Sequence, residues 1–271
     1  MKVNKIFNED CFQTIKYISG LGRKVQMVIT SPPYNTARNS TDSKRRENHE
    51  ARYDIHLDDM TDNEYLQWTV DLFKGFDGIL EKNGVVLYNM SYGTDTQNYK
   101  DYYKPNEIMY RVINEILVET NFTIADTIVW KKSSALPNNV SSNKLTRICE
   151  FVFVFCRKSE LKTFQCNKKV KSVSKHGQNY YENMFNYIEA KNNDGSNKLN
   201  KATYSSDLVL QLIDMYAKPK GIVYDPFMGT GTTALACAMR GLKYIGSEIS
   251  QDQVKFAPNL KERVFSLQPL N

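Results

Sequence analysis

The feature that most constrains the fold lies near the C-terminus, where the apolar run Gly221 to Tyr224 leads straight into Asp225-Pro226-Phe227-Met228-Gly229-Thr230-Gly231-Thr232-Thr233. This order reads as a strand, a tight glycine turn and a helix start. Gly229 and Gly231 let the backbone approach a ligand closely, and Thr232 and Thr233 are predicted to cap a helix over Ala234 to Arg240. A second strand, Lys243 to Gly246, is followed by Glu248. A carboxylate about 20 residues beyond the glycine turn of a βαβ unit sits where ribose hydroxyls are gripped in doubly wound sheets. The segment therefore predicts a nucleoside-binding half-site.

The chain contains no Gly-Lys-Ser or Gly-Lys-Thr triplet, so the lysine of a phosphate-binding loop is missing, and Asp225 would repel a pyrophosphate. Asp225 suits an ammonium or sulfonium group instead, the charge that S-adenosylmethionine carries. A lone glycine turn can simply join strand to helix. Here the flanking Asp-Pro-Phe, the paired threonines and Glu248 favour a ligand.

A second constellation lies at the other end, where the β-rich run Val25 to Thr30 delivers Ser31-Pro32-Pro33-Tyr34-Asn35. Ligands bind at the carboxyl edge of parallel sheets. The two prolines fix the backbone, so the Ser31 hydroxyl and the Pro32 carbonyl are held in one place. Rigid acceptors suit an exocyclic amino group conjugated to a nucleobase, which becomes nucleophilic when its protons are drawn toward tetrahedral geometry. Tyr34 offers a flat face on which an extruded base can stack, worth about 1–3 kcal/mol. By itself the segment is also compatible with a plain proline turn.

Together the two segments resemble the amino-group DNA methyltransferases, which modify adenine N6 or cytosine N4. Ser31, Pro32, Pro33 and Tyr34 look like the family's catalytic tetrapeptide, and Asp225, Phe227, Gly229, Thr230, Gly231, Thr232 and Thr233 look like its cofactor loop. The catalytic segment comes first, the circularly permuted order of the beta class. Asp10 falls where the family has an aspartate near the cofactor's adenine, and it is also a candidate helix cap. Trp130-Lys131-Lys132, Pro137, Arg147 and Glu150 are similar to the wall of the target-base pocket. Asn200 to Ser205 occupies the place of a segment that closes over the cofactor's methionine part, with only Ala202 and the aromatic Tyr204 matching.

The resemblance implies an α/β fold with a Rossmann-like S-adenosyl-L-methionine-dependent methyltransferase sheet, circularly permuted, with a small inserted target-recognition region. Residues 1–156 are expected to form the catalytic half, with 36–59 a flexible loop, 157–199 the target-recognition region and 200–271 the cofactor-binding half. Alternation of strands with helices independently predicts a mostly parallel sheet. The strands ending at Ser31 and Asp225 must then be neighbours sharing one cleft. An amphipathic helix is predicted from Thr61, with Glu64 completing a capping box and Tyr65, Trp68, Leu72 and Phe76 as packing residues. Asn83-Gly84 is expected to turn into a central strand from Val85 to Tyr88.

Composition bears on partners. The net charge is +6, and it is uneven: Arg157, Lys158, Lys162, Lys168, Lys169, Lys171 and Lys175 face the single acid Glu160 over that stretch. Such a run is either a solvated loop or a phosphate-contacting surface, and its place in the chain favours double-stranded DNA. Arg38, Lys44, Arg45, Arg46 and Arg52 of the 36–59 loop are further candidates for the DNA backbone. Five cysteines without a C-x-x-C pair predict reduced thiols and no metal site. The absence of a long apolar run or a signal-like N-terminus predicts a cytoplasmic protein without a membrane partner.

The expected chemistry is direct attack of a flipped base's amino nitrogen on a methyl group, with no covalent enzyme intermediate. Serine at the first tetrapeptide position is, within the family, more usual for cytosine-N4 enzymes, so cytosine N4 is favoured over adenine N6. A methyltransferase acting on RNA or a small amine and a non-enzymatic nucleic-acid-binding protein are the competing classes. The resemblance also implies a restriction-modification setting with a possible cognate restriction endonuclease, as a monomer or homodimer.

Overall fold

The computed structural model describes residues 2–35, 60–91, 107–134, 142, 145–194 and 203–257. Pro137, Asn200 to Ala202 and the 36–59 loop lie outside the described residues. Eight strands form one sheet in the order β1-β10-β9-β2-β3-β5-β4-β8: β1 (Lys5–Phe7), β2 (Val25–Thr30), β3 (Leu80–Met90), β4 (Phe122–Lys132), β5 (Cys149–Arg157), β8 (Tyr187–Ala190), β9 (Ile222–Asp225) and β10 (Lys243–Ser247). Neighbouring strands are parallel except where β5 pairs antiparallel with β3 and β4. This is the mixed α/β fold with a mostly parallel sheet that the sequence predicts.

Strand periodicity sends alternate residues to opposite faces. Val28, Val86 and Tyr88 enter the core beneath α1 (Cys11–Gly20), α2 (Asp62–Ile79) and α3 (Ile108–Glu119). Their neighbours Met27, Ile29, Val85 and Leu87 pack against α4 (Ser206–Tyr216) and α5 (Thr232–Met239) on the other face. Phe73 of α2 anchors the first core, its ring 5.0 to 5.4 Å from those of Phe76, Tyr88, Phe122 and Phe155. Burying a side chain of this size contributes roughly 1.5–3 kcal/mol.

Strand β2 lies beside β9, with Met27 opposite Val223 and Val28 opposite Tyr224. From β2 the chain winds through α2 to β3; from β9 it winds through α5 to β10, in the other direction. The strand order thus reverses between β2 and β9, which opens a crevice at their carboxyl ends. Ser31 follows β2 directly and Asp225 ends β9, so both motifs reach that crevice.

Three details differ from the sequence reading. The predicted turn at Asn83-Gly84 lies inside the continuous strand β3, as an irregularity: Asn83 has φ 56°, and the register against β2 shifts between Val25 and Met27. Gly84 is required there because a Cβ would lie 2.5 Å from Leu80 Cγ. The predicted helix cap by Thr232 or Thr233 is replaced by Gly231 at φ 89°, with no side-chain cap bond, because Thr233 is drawn away by Asp225. Within 157–199, β6 (Val170–Val173) and β7 (Asn179–Tyr181) form a separate two-stranded sheet, whereas β8 joins the main sheet as its edge. At α2 the expected capping box is present: Thr61 N–H donates to Glu64 Oε2 at 2.8 Å, and Glu64 N–H to Thr61 Oγ1 at 3.4 Å. Among the described residues no helix is long and apolar enough to cross a membrane.

Candidate active site

One cleft at the β2–β9 crevice is lined by Ser31 and Pro33 from the first motif and by Phe227, Gly229 and Thr232 from the second. Asp10, Trp68, Glu248 and Thr203-Tyr204 also line it. Residues separated by roughly 200 positions along the chain thereby face one space, because β2 and β9 are paired.

The glycine loop is held from below and from the side. Gly229 (φ 55°) and Gly231 (φ 89°) adopt left-handed backbone, which glycine reaches without steric penalty. Gly229 N–H donates to Glu248 Oε2 at 2.8 Å, and Ser250 N–H donates to Glu248 Oε1 at 2.9 Å, which fixes the carboxylate that lines the cleft. Asp225, Thr230, Gly231 and Thr233 are buried and lie behind the cleft surface. Asp225 accepts from Thr233 Oγ1 at 2.6 Å, Tyr204 Oη at 2.9 Å and Phe227 N–H at 3.0 Å. Burial raises its carboxyl above the ordinary range, against the pull of Thr233, Phe227 N–H and Tyr204. Burial, reinforced by Asp225, likewise pushes the Tyr204 hydroxyl well up, so it stays protonated and donates.

Asp10 caps α1, accepting from Phe12 N–H at 2.8 Å, and also lines the cleft, so cap and candidate ligand coincide in one carboxylate. Beside it, burial pushes the Cys11 thiol up, with the Asp10 charge adding to the effect. A neutral thiol is a poor nucleophile, and Cys11, 2% exposed, packs into the core at the edge of the cleft.

Next to the cleft, Tyr34 turns its hydroxyl into a polar cluster. Tyr34 Oη lies 2.9 Å from Ser31 Oγ and donates toward Glu150 Oε2 at 3.4 Å. Asn89, at the end of β3, donates to Tyr34 Oη at 2.6 Å and to Glu150 Oε2 at 2.8 Å. Lys132 Nζ bonds the second oxygen of Glu150. Trp130 is buried in the core and donates to Ala190 O at 3.3 Å, while Lys131 pairs with Glu189 on the edge strand. Of the predicted pocket-wall residues, Glu150 bonds Tyr34 of the tetrapeptide and Lys132 bonds Glu150. Trp130 lies opposite Glu150 in the sheet with Lys132 Nζ 5.0 Å over its ring, and Lys131 turns to the edge strand.

Two site residues were missed or misjudged in the sequence. Asn89 sits in the apolar stretch Val85 to Met90, where an asparagine in a buried strand is itself the signal of a polar task. Trp68, expected to be packing alone, lines the cleft while its ring stacks on Tyr65 (5.8 Å, 16°) and meets Phe227 (5.6 Å). Tyr65 also donates to the Pro33 carbonyl at 2.7 Å, so α2 braces both motifs.

The basic run separates into two kinds of residue. Arg157 is consumed inside the fold by Asp77, Glu160 and the carbonyls of Asp77, Leu80 and Glu81. Lys158 caps the C-terminal end of α3 through the carbonyls of Leu117 and Thr120, which corrects the expectation that these two face DNA. Lys162, Lys168, Lys169, Lys171 and Lys175 remain exposed, the last four on or beside the β6–β7 hairpin with Tyr180 and Tyr181.

The family model N6_N4_Mtase, described as DNA methylase, matches residues 25–259. The Type II methyltransferase M.BglII of Bacillus subtilis is 24% identical, covering 94% of this chain and 68% of that protein. Among solved structures, the cytosine-N4-specific PvuII DNA methyltransferase superposes with a TM-score of 0.66 at 17% identity, over 97% of this chain and 90% of that one. The M1.HpyAVI–SAM complex gives 0.58 at 21% identity, over 95% and 98%. These superpositions establish a shared fold.

Proposed function

The chain belongs to the DNA methylase family that its residues 25–259 match, and from that premise we propose that it transfers the methyl group of S-adenosyl-L-methionine to the exocyclic amino group of a base flipped out of duplex DNA, with cytosine N4 as the target. The observation that carries this reading is the shared cleft, which Ser31 and Pro33 line together with Phe227, Gly229 and Glu248.

The donor set fits an adenosyl compound with a cationic tail. Glu248 and Asp10 offer carboxylates for hydroxyl and amino groups, Phe227 and Trp68 offer apolar faces, and Gly229 allows close backbone approach. Asp225 acts from beneath, fixing Thr233, Tyr204 and the Phe227 amide, and Thr230, Gly231 and Thr232 set the turn into α5. When bound, the cofactor supplies an electrophilic methyl group on sulfur. The protein's own contribution is arrangement: Ser31 Oγ and the Pro32 carbonyl accept from the amino group, and Tyr34 stacks on the ring. Rotating the nucleotide out of the duplex costs a few kcal/mol, which stacking of about 1–3 kcal/mol offsets in part. Acceptors set in place beforehand around the nitrogen, where positive charge develops, account for most of the rate gain.

The exposed lysines of the β6–β7 hairpin supply the DNA-facing charge, and the relatedness to Type II enzymes supports a role protecting sites from a cognate endonuclease. Adenine N6 is the second reading, since the same two acceptors serve either amine. The test compares duplex DNA, RNA and small amines as acceptors of labelled methyl; transfer confined to duplex DNA is the expected result, and preferential labelling of RNA or an amine would overturn it.

A further inference from the structure

An amine that has accepted a methyl group carries one proton too many, and the cluster behind the tetrapeptide is built to receive it. Ser31 Oγ, Tyr34 Oη and Glu150 Oε2 follow one another at 2.9 and 3.4 Å. Glu150 can only accept, because an ionised carboxylate has no proton to give. Asn89 Nδ2 has two protons, and its two shorter contacts, at 2.6 and 2.8 Å, go to Tyr34 Oη and Glu150 Oε2. Tyr34 therefore already accepts from Asn89. With its single proton given to Glu150, Tyr34 can accept again from Ser31, and Ser31 Oγ, which Asn89 Nδ2 reaches only at 3.4 Å, keeps a lone pair for the substrate. Every donor in the row then points toward one carboxylate, an ordering in which each bond strengthens the next.

Two further facts set this cluster apart from ordinary packing. Asn89 is only 4% exposed, and among the described residues its Oδ1 has no hydrogen-bond partner. An unsatisfied buried carbonyl costs about 1–3 kcal/mol, so the amide is placed for what its Nδ2 does. Lys132, bonded to the other oxygen of Glu150, sets a cation against that carboxylate in a largely buried setting and fixes its orientation.

We propose that Ser31, Tyr34 and Glu150 form a proton exit from the target amino group, with Glu150 as its terminus and Asn89 and Lys132 as positioning residues. This rests on the reading of the site as an amino-group methyltransferase with a sulfonium methyl donor. As the N–CH3 bond forms and the S–CH3 bond breaks, the bonding pair stays on sulfur and the nitrogen becomes positively charged. One N–H proton passes to Ser31 Oγ, the Ser31 proton to Tyr34 Oη, and the Tyr34 proton to Glu150. Ser31 and Tyr34 end as they began, Glu150 is neutral, and the methylated amine carries no charge. Tyr34 thus contributes its hydroxyl as well as its ring.

Tyr34→Phe separates the two contributions, since it keeps the aromatic face and the Glu150–Lys132 pair. We expect Tyr34→Phe to bind a duplex with 2-aminopurine at the target position and to give the fluorescence rise of base flipping as the wild type does, while the single-turnover rate falls by about 10²-fold. In mixtures of light and heavy water the wild-type rate should follow a curved proton inventory, reporting several protons in flight, and Tyr34→Phe a linear one. Glu150→Gln should also lose the curvature, and Glu150→Asp should recover part of the rate, which a purely structural role would not produce. Wild-type rate and an unchanged inventory in Tyr34→Phe would overturn the proposal. If the wild type itself transfers no methyl group to DNA, the functional reading fails, and the exit route with it.

Discussion

Gly229 N–H donates to Glu248 Oε2 at 2.8 Å, tying the turn after β9 to the residue just beyond β10. The bond joins the two ends of the βαβ unit across its crevice and holds the Glu248 carboxylate against the cleft. The same side chain thus fixes the loop and presents a carboxylate to the cleft.

Glu248→Ala removes both the carboxylate and the partner of Gly229 N–H. A hydrogen bond to a charged group is worth about 1.5–3 kcal/mol, or roughly 10–100-fold in affinity. Calorimetric titration with S-adenosylmethionine should register a loss of that size, and Glu248→Gln, which keeps an acceptor, should lose less.

Gly246 on β10 is where Met228 packs down onto the sheet. A Cβ there would lie 2.5 Å from Met228 Cε and 2.9 Å from its Cβ, and the latter cannot swing aside without moving the loop. Gly246→Ala should cost about 1–3 kcal/mol in chemical denaturation and should weaken cofactor binding, although Gly246 does not itself line the cleft.

Asp225 carries a pH signature. Its folded pKa is raised by burial above the ordinary 3.8, so the folded state holds the proton more tightly than the unfolded chain. The stability penalty of the charged carboxylate is fully present above the folded pKa and disappears as pH falls through it toward 3.8. In Asp225→Asn the amide nitrogen cannot accept the bonds that Thr233 and Tyr204 donate, a cost independent of pH. The variant carries no titrating carboxyl, however, so its thermal midpoint should gain on that of the wild type as pH rises through the folded pKa. A gain that grows as pH falls would contradict the assignment.

The two kinds of basic residue should separate experimentally. Replacing exposed Lys168, Lys169 or Lys171 with Ala should leave stability unchanged and lower DNA affinity, with the salt-dependence slope falling by about 1 for each phosphate no longer neutralised. Arg157→Ala should do the reverse: it leaves Asp77 and Glu160 part-buried without their cation, at a cost of about 3–5 kcal/mol, while the salt slope of DNA binding stays the same.

Much of this architecture is legible along the chain because its signals are local. A continuous apolar strand, two glycines needing left-handed backbone and a carboxylate beyond the next strand specify the βαβ unit within one window. The tetrapeptide is equally local, since two prolines after a buried strand leave Ser31 few conformations. What the chain hides is pairing across distance. Arg157 looks like DNA-facing charge until Asp77, far away in sequence, is found against it. Thr233 looks like a cap until β9 brings Asp225 to its hydroxyl. Asn89 shows its purpose only when β3 sets it between Tyr34 and Glu150.

The most direct measurement is mass spectrometry of the nucleosides released from duplex DNA after incubation with the protein and methyl-labelled S-adenosylmethionine. Label is predicted in N4-methyldeoxycytidine; label in N6-methyldeoxyadenosine would reverse the choice of base. Label in 5-methyldeoxycytidine, or in no nucleoside at all, would contradict amino-group methylation by this cleft.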